Sequence, residues 1–118
     1  MMYESGEMYL ENLLILCQKQ NIVRAIDLAD AMKLSKPSVS RALSKLRTED
    51  YILVDDDGAL LFTDKGRSVA EKIFERHRVL TQVLIALGVD EETAAADACK
   101  MEHDISDKTF EALKAHLR

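Results

Sequence analysis

The chain has 118 residues, of which 47% are apolar and 31% charged, with four glycines, one proline and no tryptophan. That balance supports a folded core and excludes an intrinsically disordered chain, and the length fits one compact domain or a small domain with an appendage. A formal net charge of −5 excludes a uniformly basic nucleic-acid coat, but not a local basic patch.

Few glycines and prolines predict long elements, and a core of Leu, Ile, Val, Ala and Met favours helices. Cys17 and Cys99 follow no disulfide-framework spacing. No apolar run reaches the ~18 residues of a membrane helix, and no signal-peptide pattern opens the chain. The expectation is a soluble, cytoplasmic protein with reduced thiols and no membrane association.

In chain order, residues 4–20 read as a helix with Met8, Leu10, Leu13, Leu14, Ile15, Leu16 and Cys17 on an apolar face. A shorter helix over 24–33 turns Ile26, Leu28, Ala29 and Met32 inward. Ser35 is suited to cap the next helix, 36–48, because its hydroxyl can accept from a free backbone amide. Pro37 falls in the first turn, where its missing N–H costs nothing. Val39, Leu43 and Leu46 form that helix's buried stripe. Two short strands, 51–54 and 60–62, flank Asp55-Asp56-Asp57-Gly58, a hairpin signal. Thr63 caps a long helix, 64–87, which Gly88 ends. Helices at 91–103 and 107–117 follow, the last capped by Ser106. The organisation shifts after the hairpin, which divides the chain into 1–70 and 71–118.

Two short helices, a third across a tight turn and then a hairpin give the order of a winged helix-turn-helix. Charge agrees with topology. From Lys33 to Arg47 stand five basic residues (Lys33, Lys36, Arg41, Lys45 and Arg47) and no acidic one. Phosphate contacts need such a local field whatever the global charge. Ser35, Lys36, Pro37, Ser38, Ser40 and Arg41 crowd the end of the third helix that enters the major groove in this docking mode. Arg41 suits a guanine edge, Ser38 and Ser40 suit bases or phosphates, and Lys45 extends the basic face. The plainer alternative is a solvated basic face. Three aspartates at the wing tip predict a wing that adds little affinity or points away from the duplex.

The segment Cys99-Lys100-Met101-Glu102-His103 carries a thiol, a carboxylate and an imidazole at i, i+3 and i+4. On a helix these share one face and could converge on a divalent metal. Met8 and Glu11, three residues apart, share a face of the first helix. Read without further context, Met8 is a core methionine, Cys99 a small buried hydrophobe, Glu11 an exposed helix carboxylate and His77 a satisfied polar residue. Glu102 with His103 is the hardest pair to explain structurally, because burying it without a partner is costly. Cys17, His116 and Glu91-Glu92 read as structural or solvated.

Taken together, Glu7-Met8-Tyr9-Leu10-Glu11, Leu34-Ser35-Lys36-Pro37-Ser38-Val39-Ser40, Leu61-Phe62-Thr63-Asp64-Lys65-Gly66, Arg76-His77-Arg78, Leu87-Gly88-Val89-Asp90 and Cys99 to Ser106 resemble the diphtheria toxin repressor family of metal-dependent regulators. The resemblance covers essentially the whole chain. It implies a mainly α protein with an N-terminal winged helix-turn-helix and a helical metal-binding and dimerisation domain. It also implies a homodimeric, metal-activated repressor on a palindromic double-stranded DNA operator, with no enzymatic activity and no small-molecule substrate. Metal-homeostasis genes are the implied targets.

By the same resemblance, Met8, Cys99, Glu102 and His103 match the primary ligands of the iron branch, and Glu11 and His77 match ligand positions of the manganese branch. Thr81 or Gln82 and Ala95 stand where the iron branch has further ancillary ligands. The length resembles the shorter, two-domain manganese type. Thioether and thiolate favour ferrous iron (Fe2+), with Co2+ or Ni2+ as surrogates, whereas Mn2+ is the alternative that carboxylates and water suit. Val79, Leu80, Val83, Leu84, Leu87, Phe110, Leu113 and Leu117 offer more apolar surface than so small a helical module can hide, as a two-fold dimer requires. The competing readings are a metal-independent winged-helix regulator, a small metalloenzyme and a helical interaction module. No nucleophile–base pair supports the enzyme, and the basic stretch has no role in the last.

Overall fold

The computed structural model describes residues 4–117. Among them are six helices and one two-stranded sheet: α1 (Glu4–Lys19), α2 (Ala25–Met32), α3 (Lys36–Thr48), β1 (Ile52–Val54), β2 (Leu60–Phe62), α4 (Asp64–Ala86), α5 (Glu91–Met101) and α6 (Asp107–His116). The chain divides into two compact units, residues 1–71 and 72–118, and α4 runs through the boundary. None of the described helices is long and apolar enough to cross a membrane.

In the first unit the core gathers Leu10, Leu13 and Leu14 of α1, Leu28 and Ala29 of α2, and Val39, Leu43 and Leu46 of α3. The stripe expected on α3 is therefore the one that is buried. Ile26 is not turned inward: it is 47% exposed. It lies two positions before Leu28, which on a helix places it on the opposite face, and α2 is too short to bury both. Cys17 is exposed as well. The unbroken apolar run at 13–17 covers more of α1 than one buried face can take.

The turn between α2 and α3 is tight. Lys33 takes the left-handed conformation (φ 56°), and the Leu34 N–H donates to the Ala29 carbonyl at 3.0 Å. Ser35 caps α3 as expected, its hydroxyl accepting from the Ser38 N–H at 3.3 Å. The strands pair antiparallel in the register Ile52 with Phe62 and Val54 with Leu60. Their loop closes through Gly58 N–H to the Asp55 carbonyl, with Gly58 left-handed at φ 82°. The Asp55 carboxylate accepts from the N–H groups of Asp57 and Ala59 at 2.9 and 2.8 Å. One of the three wing aspartates thus serves the turn itself. Leu60 also donates to the Val23 carbonyl at 2.8 Å, which ties the segment before α2 to the hairpin.

Thr63 accepts from the Gly66 N–H at 3.0 Å and starts α4. A Cβ at Gly66 would overlap the Tyr51 carbonyl, so only glycine permits this approach. At its other end α4 closes with Val89 N–H to Leu84 O and Gly88 N–H to Ile85 O, Gly88 being left-handed. In the second unit Ile73, Leu80, Val83, Ala94, Ala98 and Phe110 are buried, whereas Ile85, Leu87 and Leu117 are 40%, 74% and 36% exposed. Of the eight residues expected to need cover, Leu87 and Leu117 remain the most open. The helix expected over 91–103 stops at Met101. Glu102 N–H still donates to Ala98 O, but Asp104 N–H donates to Met101 O, and this shorter bond tightens the chain into a turn.

Candidate metal centre and nucleic-acid interface

The chemistry of the second unit centres on Glu102. It caps the end of α5, keeps helical dihedrals and is fully buried. Its Oε2 accepts from His77 Nδ1 on α4 at 2.9 Å. Its Oε1 lies 3.4 Å from His103 Nε2 and has no hydrogen-bond partner among the described residues. The His103 side chain is 1% exposed and that of His77 29%. The Glu102 hydrogen bond holds the His77 imidazole above its ordinary pKa, against the partial burial that pulls it down.

A carboxylate removed from water needs compensating charge, and one of its oxygens here lacks a hydrogen bond. Ligand bonds of about 2.1 Å place neighbouring ligand atoms about 3.0–3.4 Å apart on one cation. Of the two imidazole-to-carboxylate separations, 3.4 Å falls in that range and 2.9 Å lies just below it, at hydrogen-bond distance. The residue types of this cluster, two imidazoles beside a buried carboxylate, fit a divalent cation.

Cys99 is half-buried on α5, one turn before Glu102. Although α5 ends at Met101, Glu102 keeps helical dihedrals and its N–H still donates to Ala98 O, so it follows Cys99 at the helical i, i+3 spacing, and His103 stands in the turn after it. In the first unit Met8 is half-buried on α1, and Glu11, one turn on, is 6% exposed. Burial of Glu11 rules out the solvated carboxylate that its sequence context alone suggested.

Arg76 escaped the sequence reading. It is 5% exposed, and its Nη1 donates to the carbonyls of Glu102 and Ile105 at 3.1 and 2.7 Å. Its Nη2 meets Asp107 Oδ1 at 2.5 Å, and the guanidinium lies 5.4 Å from the Phe110 ring centroid. No pattern in the sequence announced this role; Lys72, one turn earlier, reaches the same Asp107 oxygen at 3.0 Å.

The first unit carries the basic face. Lys36, Ser40, Arg41, Lys45 and Arg47 are exposed on α3, and its first turn has no acidic residue. Ser35 and Pro37 are exposed at its start, and Ser38 is half-buried. The Ser35 hydroxyl donates to Ser38 Oγ at 2.9 Å, and Arg41 Nη2 donates to the same oxygen at 3.4 Å. These bonds order the residues at the helix end that a DNA groove would meet. A shallow groove beside them is lined by Ala25, Ile26, Lys36 and Ser40, which gives the exposed Ile26 a place next to the basic face.

Residues 1–60 match the family model described as the iron dependent repressor N-terminal DNA binding domain, and residues 63–118 match the iron dependent repressor metal binding and dimerisation domain. The chain belongs to the iron dependent repressor family. The resemblance read from its motifs and the mainly α, winged-helix architecture are both borne out. Family members are transcriptional regulators, not enzymes. The HTH-type transcriptional regulator MntR of Geobacillus kaustophilus is 32% identical over 86% of this chain and 72% of that protein. An uncharacterised HTH-type transcriptional regulator of Methanocaldococcus jannaschii is 32% identical over 98% of this chain and 94% of that one. Among solved structures, the manganese regulator SloR is 29% identical with a TM-score of 0.84, and the metal-dependent transcriptional regulator MtsR is 26% identical with a TM-score of 0.88. This family member covers 95% of itself in each of those comparisons but spans only 53% of either solved chain, about half their length.

Proposed function

We propose that the protein is a metal-dependent DNA-binding transcriptional repressor that responds to ferrous iron. The observation that supports this most is the fully buried Glu102 carboxylate between His77 and His103, within the part that matches the metal-binding domain. Glu102, His77 and His103 are the proposed ligands of the second unit, with Cys99 beside them. Met8 and Glu11 are proposed as ligands from α1, on the resemblance of their positions and on the burial of Glu11. When bound, the cation supplies the positive charge that the buried carboxylate lacks. Thiolate and thioether among the ligands favour Fe2+ over Mn2+. The manganese reading keeps support of its own, because several relatives are named as manganese regulators.

The DNA-reading residues are proposed to be Ser35, Lys36, Pro37, Ser38, Ser40, Arg41 and Lys45 at and along α3. A homodimer would place two such helices on a palindromic operator in double-stranded DNA, and the exposed Leu87 and Leu117 are surface that a partner would cover. Repression would follow if the DNA-competent arrangement has the higher metal affinity, so that metal shifts the population toward it. Allosteric couplings of this kind are worth ~1–3 kcal/mol, roughly 5–150-fold in operator affinity.

The test has two stages. Gel shifts on promoter DNA of metal-homeostasis genes, with Fe2+, Mn2+ or chelator, should give a retarded complex with metal and none with chelator. Binding that ignores the chelator returns the protein to a metal-independent regulator. Anaerobic calorimetry then compares Met8→Ala and Cys99→Ala with wild type, and unchanged Fe2+ affinity in both would sink the iron assignment.

A further inference from the structure

We propose that Arg76 is a positioning residue for the metal centre: it fixes the backbone that carries Glu102 and His103, so that their ligand atoms are in place before a cation arrives. This inference rests on the metal-site reading above and concerns what builds that site.

The connection between α5 and α6 is irregular. Residues 102–106 have no helix or strand to hold them, yet Glu102 is fully buried and the His103 side chain nearly so. A short irregular segment keeps a defined shape only where its polar backbone atoms find fixed partners. The N–H groups of Glu102 and Asp104 find theirs in the carbonyls of Ala98 and Met101, and Arg76 supplies partners for the carbonyls of Glu102 and Ile105. One guanidinium nitrogen takes the carbonyls of Glu102 and Ile105, on either side of His103, at 3.1 and 2.7 Å. A second takes Asp107 at the start of α6 at 2.5 Å, while Nε is buried with no hydrogen-bond partner among the described residues. The planar fork of arginine can span three acceptors in this way, which a single ammonium cannot.

Two adjacent residues of α4 thereby grip Glu102 at both ends. Arg76 holds its carbonyl, and His77 holds its carboxylate at 2.9 Å. The guanidinium is itself confined, 5% exposed, with the Phe110 ring 5.4 Å from its centre. Its charge is balanced by Asp107, which Lys72 also contacts at 3.0 Å. Burying an arginine is costly unless its bonds are used. Here the bonds it makes are spent almost entirely on the segment that carries two proposed ligands. Groups that orient metal ligands without touching the metal typically set about 10–100-fold of its affinity.

The test uses the full chain as Arg76→Gln, Arg76→Lys and Asp107→Asn. Each variant is titrated with Mn2+ and, anaerobically, with Fe2+. Amide hydrogen exchange across 102–106 and thermal unfolding are followed without metal. Arg76→Gln should bind metal about 10–100-fold more weakly and lose exchange protection in that segment before metal is added. Arg76→Lys should recover part of both effects. Asp107→Asn, altered at a side chain 70% exposed, should shift both readouts in the same direction by less. Unchanged metal affinity and exchange in Arg76→Gln overturn the proposal. So does an affinity loss in which lysine does no better than glutamine, because that marks a merely structural role. Should Arg76→Gln not fold, Asp107→Asn with unchanged affinity and exchange overturns it. A wild-type chain that binds neither metal refutes the functional reading itself, whereas tight wild-type binding with unaffected variants refutes only the role of Arg76.

Discussion

Replacing Glu102 by glutamine isolates the charge of the buried carboxylate. The amide keeps the shape and leaves an acceptor for His77, whose nitrogen lies 2.9 Å away. Without metal, the substitution removes a charge from a fully buried position, so stability should hold or rise. With metal the balance reverses. A cation at a hundred times its dissociation constant stabilises the wild-type fold by about 2.7 kcal/mol. For a chain of this length that corresponds to a rise of about 8–13 °C in melting temperature, at about 3–5 °C per kcal/mol. Loss of the one fully buried anionic ligand should cost at least the upper end of the range seen for supporting groups, about a hundredfold. The same metal concentration then only matches the dissociation constant, and the gain falls to about 0.4 kcal/mol, or about 1–2 °C. Thermal melts of both proteins, with chelator and with Mn2+ or anaerobic Fe2+, measure this directly. An equal metal-induced rise in the variant refutes the assignment of Glu102. A variant many degrees less stable under chelator shows that the carboxylate serves the fold and not a cation.

Arg41→Ala should lower affinity for the specific operator by about 1–3 kcal/mol and relax preference at one base pair, whereas Lys36→Ala should weaken all sequences alike and reduce the salt dependence by about one ion; fluorescence anisotropy across a salt series separates the two. Gly66→Ala pushes a Cβ into the Tyr51 carbonyl and should destabilise the protein by about 1–3 kcal/mol in urea unfolding. Asp107 is held below the ordinary carboxylate pKa by its hydrogen bond to Lys72 and then by Arg76. A carboxylate depressed in the folded state contributes stability that is present above its unfolded pKa of about 4 and lost as pH falls through the folded value. Asp107→Asn should therefore flatten the acid limb of a stability–pH curve below about pH 4 and leave its slope near neutrality unchanged.

The reading head was legible because its signals are local. Ser35 and Pro37 start α3, the Val39-Leu43-Leu46 stripe sets its buried face, and Asp-Gly turns the hairpin; each acts within a few residues of itself. Gly88 closes α4 for the same reason. The errors came where burial depends on partners. Ile26 is as apolar as Leu28, yet a two-turn helix has one inner face and Leu28 occupies it. The end of α5 depended on a single i→i−3 bond from Asp104, which no residue type announces. Arg76 was illegible for a deeper reason. Its partners are two carbonyls and one aspartate lying 26, 29 and 31 residues further on, and backbone carbonyls leave no trace in composition. Glu102 and His103 stood out by residue type, but the group that shapes their backbone did not.

On the proposed ligand set, metal choice turns on the sulfur atoms of Met8 and Cys99. His77, Glu102 and His103 supply imidazole nitrogen and carboxylate oxygen, a set that accepts either manganese or iron. For such a set the order of divalent affinities already places Fe2+ above Mn2+. A regulator of manganese must work against that order, through geometry or through hard oxygen ligands that narrow the gap. Met8 and Cys99 do the opposite, since thioether and thiolate widen it. The names of the manganese regulators among its relatives belong to those proteins and favour the manganese reading, whereas the sulfur at the two proposed ligand positions favours iron. Cys99 is the sharper of the two, because a thiolate contributes charge as well as softness. Exchanging it for aspartate would keep the charge and remove only the softness, so the change in the ratio of Fe2+ to Mn2+ affinity would read the contribution of sulfur alone.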